Sequence, residues 1–153
     1  MTPERLIIRA HEPADIAVAE AFHWAEFAEG LVPPADIGQS GGHEDHREYL
    51  LIAEIDSRIV GHAMLRDRPM RPWTSGDSMV VVEPYRRSGV ARALLFQAIA
   101  SCHRPLMRIF VRPSNRSANR LYDDIGFRKV GTRTGHYPDG EDATIMMTRT
   151  FWR

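Results

Sequence analysis

Met79-Val80-Val81-Val82-Glu83-Pro84-Tyr85-Arg86-Arg87-Ser88-Gly89-Val90-Ala91-Arg92-Ala93-Leu94-Leu95 is the stretch on which the fold turns. Its apolar start reads as a buried strand, a short turn containing glycine follows, and an amphipathic helix begins at once. A junction of this kind aims the unpaired N-terminal amides of a helix into one concavity, where the helix dipole also favours negative charge. The segment is therefore a candidate phosphate cradle. Two common cradles are absent, since neither G-x-x-x-x-G-K-[ST] nor G-x-G-x-x-G occurs here.

Outward from this junction the chain alternates between strand and helix signals. Downstream, Leu94, Leu95, Ala98, Ile99 and Cys102 share one helical face, which should lie on a sheet, and Pro105 is expected to stop the helix. Leu106 to Val111 reads as a strand. Ser114 is the expected N-cap of a second helix with Ala118, Leu121, Tyr122 and Ile125 on one face, and Gly126 is its natural terminator. Phe127 to Arg133 and Ala143 to Phe151 read as strands around a Tyr-Pro-Asp-Gly turn at 137 to 140. Upstream, Asp77 to Val82 is a strand preceded by a punctuated loop, DRPMRPWTSG. Tyr49 to Ile55 and Ile59 to Arg66 form a hairpin about Asp56-Ser57-Arg58. Arg5 to Ala10 is a strand, and Pro13 opens a helix that runs to about Glu29. Residues 31 to 47 read as a long loop, of the kind that often carries function. The order β-α-loop-β-β-β-α-β-α-β-β predicts a mixed α/β sheet with helices on both faces.

The chain of 153 residues is expected to form one domain over 1–153, with enough length for a core without staples. No apolar run approaches the ~18 residues of a bilayer span. The N-terminus lacks the basic segment and longer apolar stretch of a secretory signal, so a cytoplasmic location is expected. The single cysteine, Cys102, excludes an intramolecular disulfide and a cysteine-built zinc cage. The formal net charge of +0 hides a division: residues 1 to 85 carry 7 Lys+Arg against 15 Asp+Glu, and residues 86 to 153 carry 13 against 5. A basic second half suits an anionic ligand, and an acidic first half suits a cationic one.

With those residues in view, the chain resembles the GCN5-related N-acetyltransferases, the GNAT family. The acyl-coenzyme A motif of that family, [RQ]-x-x-G-x-[GA] after a strand, stands here as Arg86-Arg87-Ser88-Gly89-Val90-Ala91. A second block, Asn115-x-x-Ala118-x-x-Leu121-Tyr122-x-x-x-Gly126-Phe127, follows at the spacing the family uses. Tyr137 and Glu141 to Met146 look like the tail of the branch that acetylates ribosomal proteins and protein N-termini. The resemblance covers about residues 49 to 151; the first 48 match only in their β-α order.

The resemblance implies a mixed, mostly antiparallel, splayed sheet and an acetyl-CoA-dependent N-acetyltransferase that passes its acetyl group directly to a primary amine. The acceptor would be a small molecule or a peptide N-terminus. It also implies that Met79, Val80 and Val81 offer backbone groups to the pantetheine arm. Arg86 and the amides of Arg87, Ser88, Gly89, Val90, Ala91 and Arg92 would hold the pyrophosphate. Asn115 would contact the pantetheine or hold the cleft open. A backbone NH near Val81 would face the thioester oxygen, where losing such a donor costs on the order of 10² to 10³ in rate.

Tyr122 is implied as the acid that protonates the departing thiolate, although its place on an apolar helical face also suits packing alone. Two departures from the resemblance concern the base and the strand end. Where the ribosomal-protein branch carries a glutamate on the strand before Asn115, this chain has Phe110, and the expected proline three residues before Arg86 is Glu83, with Pro84 following. Asp77, two residues before Met79 and on the same face by strand alternation, is then the candidate base, acting through water; a solvated strand-entry residue is its other reading. Without a carboxylate at position 110, a non-catalytic acyl-CoA sensor on the same fold is the alternative function.

Other patterns fall short. His43-Glu44-Asp45-His46 lacks the spacing of HExxH, so no metal is expected. Cys102 and His103 are adjacent and point apart on a helix, which argues against a nucleophile and base pair. The three tryptophans show no stacking pattern with basic neighbours, so no nucleic-acid partner is expected. The acceptor is expected to be a cationic amine, drawn by Glu26, Glu29, Asp36, Glu44, Asp45 and Glu48. The sequence leaves a homodimer open.

Overall fold

The computed structural model describes residues 5–19, 21 and 47–150. In these the chain forms β1 (Leu6–Ala10), a helical segment α1 over 15–19, β2 (Arg47–Ile55), β3 (Arg58–Asp67), β4 (Trp73–Val81), α2 (Val90–Ser101), β5 (Leu106–Val111), α3 (Arg116–Ile125), β6 (Arg128–Arg133) and β7 (Ala143–Arg149). The strands make one seven-stranded sheet in the order β1-β2-β3-β4-β5-β7-β6. Every neighbouring pair is antiparallel except β4 and β5, which run parallel with α2 as their crossover. The mixed α/β, mostly antiparallel architecture follows the expectation. The rest of the expected first helix, the loop at 31 to 46 and the His43–His46 motif lie outside the described residues.

Strand alternation divides the core. Leu51, Ala53 and Ile55 of β2 join Val90, Leu94, Leu95, Ala98 and Ile99 of α2, together with Tyr122 and Ile125 of α3. Leu50, Ile52 and Met64 project the other way and pack with Ala19 of α1. Helices thus cover both faces of the sheet. The face predicted for α2 is the one buried, and each fully buried aliphatic side chain there contributes about 1.5–3 kcal/mol. Arg9 fastens the start of α1, bonding both carboxylate oxygens of Asp15 at 2.7 and 3.1 Å and Glu54 at 3.0 Å. The β2–β3 hairpin turns at Asp56 and Ser57, both with positive φ (50° and 64°), the signature of the turn that matches strand twist.

Three element boundaries differ from the sequence reading. Strand β4 begins at Trp73, so the end of the DRPMRPWTSG stretch is strand and not loop. Thr74 and Ser75, polar in sequence, are buried between β3 and β5, and the Thr74 hydroxyl donates to Asp67. Helix α2 stops at Ser101, four residues ahead of Pro105, with Cys102 as its extended C-cap. Asn115, and not Ser114, caps α3: its side chain accepts from the Ala118 amide at 3.1 Å, while Ser114 bonds Glu141 through both its amide and its hydroxyl.

Candidate active site

The centre of the sheet opens. Strands β4 and β5 pair only from Trp73↔Leu106 to Gly76↔Ile109, leaving Asp77–Val81 of β4 and Phe110–Val111 of β5 beyond the last rung. Gly76 permits that last rung, since a Cβ there would lie 2.9 Å from the Ile109 side chain. Directly after it, Asp77 is an extra residue in β4: Gly76 pairs with Leu65 and Ser78 with Met64, so Asp77 has no partner in the register. Such a bulge bends and twists a strand. It separates β4 from β5 and produces the splay the resemblance implied.

At the C-terminal side of this opening β4 runs through Val82 into a single 3-10 turn, Glu83–Tyr85, and then to α2. Arg87 and Gly89 both adopt left-handed backbone conformations, at φ 64° and 90°. The Ser88 hydroxyl donates to the Tyr85 carbonyl. Gly89 is the N-cap of α2 and supplies no side-chain bond, so the first amides of the helix have no cap of their own. A Cβ at Gly89 would meet nothing within 4 Å, so the space beside the helix start is open at that position. An uncapped helix start with room beside it fits a pyrophosphate. Arg86 has a further task, for its Nε donates to the Val81 carbonyl at 2.8 Å and ties the turn to the strand end.

Tyr122, on α3, joins the core cluster that also holds Val81 of β4 and Val90 of α2. Its backbone carbonyl accepts from Gly126 at 3.1 Å and Phe127 at 2.9 Å, and its ring meets Phe127 edge-on at 5.4 Å. The C-terminal cap of α3 therefore fixes the residue from both sides. Burial, with a smaller contribution from Tyr137, pushes its phenol up to about 12. The hydroxyl stays protonated throughout neutral pH and so keeps a proton it can donate. Asn115, exposed at the other end of α3, spends its carbonyl oxygen on the helix cap.

Asp77 does not share the face of Met79. Met79 packs with the α2 core, whereas Asp77 pairs at 3.2 Å with Arg66, which lies beside Met64 on the opposite face and also holds Glu48 at 2.9 Å. The bulge shifts the alternation on which the same-face expectation rested. Burial raises the Asp77 carboxyl above its usual range, against the lowering influence of Arg66. Cys102 is buried, its thiol donates to the Ala98 carbonyl, and burial pushes it up to about 11, so it is a poor thiolate donor.

Two residues of the site had no sequence signal. Arg66 is invisible as the partner of Asp77 because β3 and β4 meet only through register. Arg112, at 8% exposure, binds Asp139 at 2.8 and 3.0 Å and Glu141 at 2.8 Å, and its guanidinium lies 4.1 Å from the centre of the Tyr137 ring. This cluster latches the β6–β7 connection onto the end of β5. The Arg112 guanidinium in turn holds the Glu141 carboxyl below its usual range.

The family model described as Acetyltransferase (GNAT) family matches residues 14–127. An N-alpha-acetyltransferase of Saccharolobus solfataricus is 32% identical over 124 residues, covering 67% of this chain and 72% of the relative. The ribosomal-protein-S18-alanine N-acetyltransferase of Escherichia coli has a similar fold, with a TM-score of 0.73 at 23% identity over 97% of this chain and 96% of that one. Arabidopsis thaliana NAA60, solved in complex with acetyl-CoA, aligns with a TM-score of 0.76 at 19% identity over 95% of this chain and 98% of that one. Among the described residues no helix is long and apolar enough to cross a membrane. A family match over most of the chain, together with an uncapped helix start beside a splayed parallel strand pair, leads to one conclusion: the chain belongs to the GNAT family and is an acetyl-CoA-dependent N-acetyltransferase.

Proposed function

We propose that this enzyme acetylates the N-terminal amine of a peptide, with Tyr122 as general acid and Asp77 as general base. The observation that carries the reading is the opening after Gly76↔Ile109, with the bulged Asp77 at its edge. The peptide amine is carried over from the likeness to the Saccharolobus N-alpha-acetyltransferase. Acetyl-coenzyme A supplies an acetyl group activated as a thioester. The amides of residues 87 to 92 would hold its pyrophosphate, and Met79, Val80 and Val81 would pair with the pantetheine arm, with Asn115 beside it. Arg86 supports the strand end from which a backbone NH near Val81 would face the thioester oxygen.

An amine is mostly ammonium at neutral pH and must lose a proton before attack. Asp77 takes that proton through water, helped by a carboxyl whose proton affinity burial has raised. As the C–N bond forms and the C–S bond breaks, Tyr122 donates its phenolic proton to the departing sulfur, and the second proton lost by the acylated nitrogen returns through water to the phenolate, so that the net proton released is the one taken by Asp77. The buried thiol of Cys102 leaves the transfer direct. A reducing, cytoplasmic compartment suits that free thiol. The cationic acceptor expected from the acidic first half rests largely on Glu26, Glu29, Asp36, Glu44 and Asp45, which lie outside the described residues.

The test is thiol release on mixing the enzyme with acetyl-coenzyme A and a panel of peptides and small amines. Turnover on peptides with a free N-terminus, and none on the same peptides with a blocked one, is the expected result. Coenzyme A binding without turnover on any amine would overturn it in favour of a sensor. Asp77→Asn should lower the rate most below the amine's pKa and least at high pH, and an unchanged pH-rate profile would remove Asp77 from the mechanism.

A further inference from the structure

The sheet face on the Asp77 side carries a row of cations and aromatic rings that the transfer chemistry does not use. It begins at Arg71, whose guanidinium lies 5.4 Å from the centre of the Trp73 ring. Arg108 sits between two rings, 4.7 Å from Trp73 and 5.0 Å from Phe110. Arg133 lies 4.9 Å from Phe110 on its other side. The row takes its residues from the start of β4, from β5 and from the end of β6, and the last step passes over β7, which lies between β5 and β6. It reaches the opening at Phe110, the first residue of β5 beyond the last rung with β4.

The charges in this row are not neutralised within the described part of the molecule. Among the described residues no carboxylate lies within ion-pair distance of Arg68, Arg71, Arg108 or Arg133, and Asp77, the acidic neighbour of Arg108, is already paired with Arg66. Arg68, Arg71 and Arg133 are exposed. Burial and then the nearby Arg133, Arg68 and Arg71 lower the Arg108 guanidinium, against the raising influence of Asp77. Aromatic faces orient guanidinium planes while leaving their N–H edges available for a carboxylate.

We infer that Arg71, Arg108 and Arg133, set by Trp73 and Phe110, form an acceptor subsite that selects peptides with acidic side chains just after the N-terminal amine. The inference rests on the proposed peptide amine at the opening. The amine lies toward Asp77, and the following residues cross the row, where their carboxylates meet guanidinium edges. Charge is thus divided along the acceptor: the ammonium faces a carboxylate and the next residues face arginines.

Three peptides of equal length and identical first residue, with acidic, neutral or basic residues at positions two to four, test this by kcat/KM. The acidic peptide should exceed the neutral one by on the order of tenfold at low salt, and the gap should close as ionic strength rises. In R71Q/R133Q, both exposed positions, the acidic-to-neutral ratio should fall toward one, and R133E should shift preference toward the basic peptide. Equal use of the three peptides, or a preference for the basic one in the wild type, would overturn the subsite while leaving peptide acetylation intact. No acetylation of any peptide, with turnover on a small amine, would overturn the peptide reading itself and this inference with it.

Discussion

The two helices that follow β4 and β5 begin in opposite ways. Helix α3 starts at Asn115, whose side chain accepts the Ala118 amide, and ends at Gly126 with two amides bonded to Tyr122. Helix α2 starts at Gly89, which has no side chain to offer and stands at φ 90° with open space above it. One helix satisfies its own ends; the other leaves its first turn for something else. The difference teaches that the first amides of α2, unlike those of α3, are left free of a side-chain cap, which is what the proposed pyrophosphate cradle needs. The closed helix is the one that carries Tyr122, the proposed proton donor.

The largest effect should come from the closed helix. Tyr122→Phe keeps the ring against Phe127 and removes the dissociable proton, so kcat should drop by roughly 10² to 10⁴ with coenzyme A affinity unchanged. Full activity in this variant would reduce Tyr122 to packing. The open helix is challenged by Gly89→Asp, which sets a carboxylate beside the uncapped amides and strains a left-handed backbone. Coenzyme A affinity should fall by on the order of 10²-fold, measured by calorimetry, and pantetheine lacking the pyrophosphate should lose much less. Equal losses for both ligands would point to a folding defect and not to a cradle.

A smaller effect tests the burial of Tyr122 by pH. The phenol ionises near 10 in the unfolded chain and about 12 in the folded one, so the unfolded state releases its proton first. Stability should be fully present below pH 10 and should decline between pH 10 and 12, by on the order of 2–3 kcal/mol. Tyr122→Phe should flatten that decline in denaturant titrations; Tyr137, also at about 12, should account for part of what remains. The smallest effect is Asn115→Ala, which opens the start of α3. Loss of the cap should cost about 1 kcal/mol, a shift of roughly 2–4 °C in Tm. A matching stability loss in Gly89→Ala beyond its backbone strain would erase the contrast between the two helix starts.

What the chain revealed before folding was its local chemistry. Leu94, Leu95, Ala98 and Ile99 announce a helical face by their spacing, Gly126 announces a helix end, and the strand, turn and helix around Gly89 announce a cradle. These features are legible because helix period, capping and turn geometry act within a few residues. The reading failed where alternation was trusted through position 77, since nothing in the sequence marks the extra residue that turns Asp77 away from Met79 and toward Arg66. It also missed the first residues of β4, whose polar Thr74 and Ser75 look like loop until β3 and β5 enclose them.

Tertiary structure alone decided the rest. The opening between β4 and β5, the latch of Arg112 on Asp139 and Glu141, and the row from Arg71 to Arg133 each join residues from strands that are distant in the chain. Register sets which side chains meet across a sheet, and one bulge changes it for every residue that follows. The sequence by itself determined that a strand would turn through Gly89 into a helix without a side-chain cap and that a phenol would follow on the next helix. Only the assembled sheet decided which carboxylate stands at the opening and which arginines line the sheet face beside it, because those contacts depend on strand pairing, which no local pattern encodes.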